Sequence, residues 1–264
     1  MFARLVSTAA VLGAGLLAAL LPTGADARTP SVSGVAVEGT EIVVALADGR
    51  TLRSRDLIGA VLDVRFEGQP ARLRISAVEA DPADKSGTVW LHTFESRQPD
   101  GTWQNVCDAG PDGRRQGFVL QGRDSGLEFA CSAGAIAKCV RFGYRPWANA
   151  AQDGRALEPE HAACVRMLRG DYGGNGRPFT NNGMTVDIYD PRGIQVSDAD
   201  ATLTFEAGWS PDGAVCVHHA RVKENVTLAE LEAQFPRLRG RTGAVCTEEF
   251  ARAHGAVLLN RSRD

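Results

Sequence analysis

Six cysteines, at positions 107, 131, 139, 164, 216 and 246, limit what this chain can fold into more than any other feature. They follow a leader-like N-terminus. An even number of cysteines in an exported chain reads as a disulfide framework. Zinc is the competing reading, but it needs closely spaced ligand pairs. The chain has no Cys-x-x-Cys, and Cys131 and Cys139 are too far apart for a ligand knuckle. All six are therefore assigned to disulfides, and neither a metal nor another cofactor is expected. Six cysteines allow 15 pairings, and composition does not choose among them. The layout favours Cys107 with Cys131, joining strand ends around a polar loop, Cys139 with Cys164, tying two helices, and Cys216 with Cys246.

The leader occupies residues 1–27. Arg4 is its positive end, Leu5 to Leu21 is mostly apolar, and Ala25-Asp26-Ala27 fits a small-x-small cleavage site, placing the mature start at Arg28. The apolar run is at the short end for a membrane span, which needs about 20 residues. No cysteine follows it to carry a lipid, and no later apolar run approaches membrane length. The mature chain is expected to be secreted or periplasmic, with no transmembrane span. Its formal charge of −3 is unchanged by removing Arg4 and Asp26. Nucleic acid is not an expected partner, since that needs a basic face. An envelope or extracellular ligand is, though its identity is not legible.

The expected fold class is α+β: an N-terminal β-meander (sandwich or open barrel), residues 28–107, followed by a disulfide-stapled mixed helix and strand region, 108–264. Ile42 to Leu46, Val61 to Phe66, Arg72 to Ile75, Thr88 to Phe94 and Thr102 to Cys107 read as strands. Asp63 and Arg65 alternate with Leu62, Val64 and Phe66, the period of a half-covered strand. Asp108 to Arg115 is a Gly, Pro and Asp-rich loop. A helix capped by Ser132 is expected to Gly143. A second follows from Pro159 to Arg169, with Glu158 and Glu160 at its positive end and Arg166 and Arg169 at its negative end. Gly170 ends it, and Tyr172 to Pro178 is too glycine-rich to continue it. Met184 to Tyr189, Ala201 to Trp209, Ala214 to His219 and Ala256 to Leu259 read as strands. Thr227 opens a helix by a capping box with Glu230, and Thr247 caps another.

Several segments, in order, resemble the ADYC-domain family of bacterial extracytoplasmic proteins. They are Phe129-Ala130-Cys131, Ala137-Lys138-Cys139-Val140, Gly143-Tyr144-Arg145-Pro146-Trp147, Ala163-Cys164-Val165-Arg166-Met167, Asp187-Ile188-Tyr189-Asp190, Phe205-Glu206-Ala207-Gly208-Trp209 and Gly213-Ala214-Val215-Cys216. The resemblance implies no particular activity. It also marks a departure. Where the family pattern reads Ala-Asp-Tyr-Cys, this chain has Gly170-Asp171-Tyr172-Gly173. The resemblance further places a cysteine at Phe235. Losing both cysteines keeps the count even, so Gly173 and Phe235 are expected to be neighbours that replace a fourth disulfide.

The candidate chemistry is sparse. Asp171, Asp187 and Asp190, with Asn175, surround the glycine-rich turn and could hold a calcium ion, though the calcium-loop spacing is missing, or serve as an acid/base pair. Asx side chains in turns explain the same residues. Tyr144, Trp147, Tyr172 and Trp209 could line a ligand pocket, or be core. His161 and Cys164 share a helix face, but a nucleophilic pair needs a free thiol. His218 and His219 point to opposite faces of a strand, which does not suit one metal. Nucleophile-elbow, zinc-protease, phosphate-loop and dinucleotide motifs are missing. Two functions remain: an extracytoplasmic binding or interaction module, or a secreted hydrolase using carboxylates around the turn after the 159–169 helix.

Overall fold

The computed structural model describes residues 3–5, 30–66, 69–110, 112–122, 126–151, 153–198, 200 and 202–263. Most of the expected leader lies outside these residues. The chain divides into two compact units, Met1–Ala133 and Gly134–Asp264.

The first unit is built from two sheets. The smaller is β2 (Val32–Glu38), β3 (Glu41–Leu46) and β4 (Thr51–Arg53), in that order. Ile42, Val44 and Leu46 alternate into the core, as their period-2 spacing requires. Asp48 accepts a hydrogen bond from the Arg50 N–H at 3.1 Å and closes the β3–β4 turn, where Gly49 takes a φ of 85°. The larger sheet joins β5 (Val61–Phe66), β6 (Gln69–Ala80), β7 (Trp90–Arg97), β8 (Trp103–Asn105), β9 (Gly117–Gln121) and β10 (Leu127–Cys131). Strand β6 pairs with both β5 and β7, and β9 with β7 and β10. The sheet curls without closing on its long strands: β5 and β10 each face the three-residue β1 (Ala3–Leu5) instead of one another. One core joins the sheets, with Ile42 and Val44 from β3 packed among Val64, Ile75, Phe94, Val119 and Phe129. The expected β-meander and open architecture are both present. The β9–β10 hairpin lies beyond the 108–115 loop and returns to this sheet. Its end, Cys131, is bonded to Cys107.

The second unit is a sheet covered on both faces. Its order is β11 (Asp187–Tyr189), β14 (Leu258–Ser262), β12 (Thr204–Ser210), β13 (Gly213–Val217), all antiparallel. Helices α1 (Ala135–Arg141) and α2 (Glu158–Arg169) are joined by the Cys139–Cys164 disulfide. Cys164 and Met167 of α2 pack against Ala207, Trp209 and Leu258 on one face. The other face packs Val215 and Leu259 against Ala251 of α4 (Glu248–Ala253) and the Cys216–Cys246 disulfide. Helix α3 (Leu228–Gln234) buries Leu231 in the first of these cores. Each bridge closes a loop of 24 to 30 residues, for which restriction of the unfolded chain contributes about 3.5 kcal/mol.

Local signals succeed where side chain and backbone are close in sequence. Thr227 and Glu230 form the capping box, and Thr247 accepts from the Phe250 N–H at 3.1 Å. Gly170 ends α2 in the left-handed region at φ 58°. Two helix starts differ from expectation. Gly134, not Ser132, is the N-cap of α1. The Ser132 N–H donates to the Gln116 carbonyl and holds that residue at the end of the sheet. Pro159 is second in α2, where it still lacks only a donor that the first turn leaves unused. The expected strand at 184–189 shortens to Asp187–Tyr189, and the expected last strand, 256–259, forms instead at Leu258–Ser262, inside its sheet.

Candidate functional site

The glycine-rich turn after α2 is shaped by backbone crowding. A Cβ on Gly174 would lie 1.7 Å from the Asp212 carbonyl oxygen, so the 170s turn and the β12–β13 turn meet backbone to backbone. The Ala214 N–H and the Arg237 guanidinium both donate to the Tyr172 carbonyl, at 3.0 and 2.8 Å. A Cβ on Gly173 would lie 2.2 Å from Cε1 of Phe235. The expected neighbours therefore touch, and the Phe235 ring occupies the space that a side chain at 173 would need. It packs edge-on to Phe179, with ring centroids 6.4 Å apart.

The three candidate aspartates hold turns. Asp171 is buried, and its Oδ2 accepts from Arg166 Nη1 at 2.6 Å and from the Gly176 N–H at 2.8 Å, which closes the glycine turn on itself. Its Oδ1 is buried with no partner among the described residues, an atom of the kind that internal water satisfies. Asp187 accepts from the Ser197 hydroxyl at 2.5 Å and the Asp198 N–H at 3.1 Å. Asp190 accepts from the N–H groups of Arg192, Ile194 and Gln195, and from the Tyr144 hydroxyl at 2.8 Å. Burial, then the Asp190 charge, raises the Tyr144 phenol well above its ordinary value. Asn175 accepts from the Arg177 N–H in an Asx turn. Among the described residues the three carboxylates share no hydrogen-bond partner. Among the described residues no three His, Cys, Asp or Glu side chains are grouped to hold a metal ion.

The aromatic candidates are interior. Tyr144, Tyr172 and Trp209 are fully buried, and Trp147 is half-buried. Tyr172 stacks on Trp209 at 5.3 Å between centroids. His161 lies 3.3 Å from the Ile136 carbonyl oxygen, and its helix neighbour Cys164 is in a disulfide, so no thiol nucleophile is present there. His218 is hydrogen-bonded to the Cys246 carbonyl at 3.1 Å, and His219 to the Ser262 hydroxyl at 3.0 Å.

The most concentrated chemistry is a buried ion pair that the sequence reading missed. Glu206 and Arg221 are bidentate, with Nε to Oε2 at 2.9 Å and Nη2 to Oε1 at 3.0 Å, and both side chains are at most 1% exposed. The Tyr172 hydroxyl donates to Glu206 Oε1 at 2.9 Å, and Asn260 donates to Oε2 at 2.7 Å. Asn260 in turn accepts from the Trp209 indole at 2.7 Å, and Arg221 donates to the Met167 carbonyl at 3.0 Å. Burial alone would raise the Glu206 carboxyl. The Arg221 charge and the hydrogen bonds from Arg221 and Asn260 outweigh it and hold the carboxyl below its ordinary value. Tyr172 is pushed far up, first by burial and then by the Glu206 charge.

A bulge delivers Glu206 to this place. Ala207, Trp209 and Leu258 face α2, while Phe205 and Leu259 face α4. A regular strand would send residue 206 with Gly208 toward Ala251 of α4. The register against β14 shifts between Phe205 and Ala207, and the extra residue turns Glu206 onto the Tyr172 side. The only signal in sequence is a lone acid in the apolar run Phe205-Glu206-Ala207-Gly208-Trp209. Arg221 and Asn260 lie 15 and 54 positions away and carry no local pattern.

The ADYC-domain profile matches residues 54–223, more than half of the chain. The chain belongs to the ADYC-domain family. No curated protein and no solved structure matches it. Within this ADYC chain, the tyrosine of the departed motif, Tyr172, is a hub of the buried network. The matched segment ends before β14, so Asn260, a donor to Glu206, comes from outside it.

Proposed function

We propose that this ADYC protein is an extracytoplasmic interaction module, stapled by disulfides, with no hydrolytic chemistry on its acidic residues. The observation that carries this reading is the engagement of Asp171, Asp187 and Asp190. Each already binds the backbone or a hydroxyl of its own turn. A general acid or base needs a lone pair or proton directed at substrate. Glu206 is also unsuited, because its oxygens accept from Arg221, Tyr172 and Asn260 in the core. Three disulfides suit an oxidising compartment.

The test pairs unfolding with turnover. The oxidised protein and its Asp171→Asn, Asp187→Asn and Asp190→Asn variants are assayed on ester, phosphoester, glycoside and peptide panels. The expected result is no turnover above blank, with each variant destabilised by about 1–3 kcal/mol through its weakened charge-assisted hydrogen bonds. Parent turnover that one variant abolishes without a shift in unfolding midpoint would overturn the proposal. The location is tested separately by fractionation and N-terminal sequencing. The chain should be recovered from envelope or medium, beginning at or near Arg28.

A further inference from the structure

We propose that Asn182–Gly183 is a site of spontaneous modification, where the folded protein converts Asn182 to aspartate and isoaspartate while the second Asn-Gly step of the chain, Asn175–Gly176, is protected. The conversion needs no enzyme and no oxidant. The Gly183 nitrogen, having lost its proton to hydroxide, bonds to Asn182 Cγ, and the side-chain nitrogen leaves as ammonia after taking a proton from water. The resulting succinimide then takes up one water. Opening at Cγ gives aspartate, and opening at the main-chain carbonyl gives isoaspartate, which carries an extra methylene in the backbone. Glycine favours this closure because no Cβ hinders the nitrogen or restricts its backbone rotation.

The fold separates two steps that are alike in sequence. Gly176 is held on both sides: its N–H donates to Asp171 Oδ2 at 2.8 Å, and its carbonyl accepts from Arg169 Nη2 at 2.8 Å. Asn175 is engaged too, with its Oδ1 accepting from the Arg177 N–H at 3.1 Å. The attacking nitrogen and the attacked side chain are therefore both committed to the glycine turn. At the other step, Asn182 and Gly183 are both exposed. Among the described residues, neither the Gly183 N–H nor the Asn182 side chain has a hydrogen-bond partner. Gly183 takes a φ of 84°, and nothing lies within 4 Å of the place where its Cβ would stand. The turn is anchored upstream, where Thr180 accepts from Arg221 Nη1 at 3.3 Å and Asn181 accepts from Asn225 at 3.2 Å. Downstream it is anchored by β11. The lengthened backbone is absorbed between those anchors, and the new carboxylate faces water and adds a negative charge to the −3 of the chain.

Incubation of the oxidised protein in mildly alkaline buffer, followed by peptide mapping with mass spectrometry, tests this. Asn182 should convert first, and faster as pH rises. Asn175 should lag by about tenfold to a hundredfold, the penalty of releasing one charge-assisted hydrogen bond. Reduction and unfolding in guanidinium chloride removes that bond, so the two sites should then react at similar rates. Asn182→Gln is an exposed change that enlarges the ring to be closed. It should keep the parent's unfolding midpoint and lose the acidic species that the parent develops on isoelectric focusing. An Asn182 that stays intact in the folded protein, an Asn175 that converts as fast as Asn182, or a lag at Asn175 that persists after unfolding would each overturn the proposal.

Discussion

The two units of this chain stabilise their interiors by different means. The first has a core of alternating apolar residues from neighbouring strands, and among its described residues the buried polar groups are few: Thr40, Ser54, Asp81, His92 and Ser132. His92 is hydrogen-bonded to Ser54 at 2.8 Å and has no charge partner among the described residues. The second encloses Glu206 and Arg221 together with Tyr172, Asn260, Ser262 and His219, and it holds two of the three disulfides. The difference lies in tolerance. An apolar β core accepts volume-conserving changes with small loss. A buried ion pair is unforgiving, because removing one partner strands a charge in the interior. A hydrophobic pair of similar volume can nevertheless replace it at little cost.

The largest expected effect tests that asymmetry. Arg221→Met should destabilise the second unit by about 3–5 kcal/mol, because Glu206 remains buried without its cation. The double change Arg221→Met with Glu206→Leu should be markedly milder than the single one. Hydrogen exchange read by mass spectrometry gives the location: protection should fall across 134–263 and persist in the first unit. A single variant as stable as the parent would remove the distinction between the two interiors.

The pH dependence sharpens the comparison. Burial pushes His92 down to about 4, from an ordinary value of 6.5. The unfolded chain then binds the extra proton first, so the first unit loses stability as pH falls from 6.5 toward 4. A difference of that size is worth about 3 kcal/mol. Glu206 has the opposite sign of charge and also a depressed value. Its contribution is fully present above 4.5 and is lost only as pH falls through its lower folded value. Urea titrations followed by hydrogen exchange should therefore show the first unit weakening at pH 5.5 while the second does not. His92→Gln should flatten that slope in the first unit. If both units weaken together from pH 6.5, these two side chains do not set the pH response.

The smallest expected effect concerns Gly173 and Phe235. Gly173→Ala should cost about 1–3 kcal/mol, since the added methyl meets the ring and forces overpacking. Phe235→Leu should recover part of that loss by clearing the ring. The double change Gly173→Cys with Phe235→Cys should form a fourth disulfide on oxidation, detectable as eight non-alkylatable cysteines. Failure of that bond to form would show that the contact is not the replacement of a bridge.

Much was legible in the residues. The open β-meander, the helices at 158–169, 228–234 and 248–253, and the three cysteine pairs all follow from period, turn chemistry and layout. These signals are local, or depend on order along the chain. The Gly173–Phe235 contact was legible only through family resemblance. Tertiary structure alone decided the rest. Whether Asp171 and Asp190 met each other or capped turns depended on where the 171–176 and 190–195 loops closed. Whether Glu206 faced α4 or Tyr172 depended on one bulged residue against β14, a strand more than 50 positions downstream. A carboxylate's role is set by which cations and donors surround it. Sequence separation says nothing about those neighbours until the sheet's register is fixed.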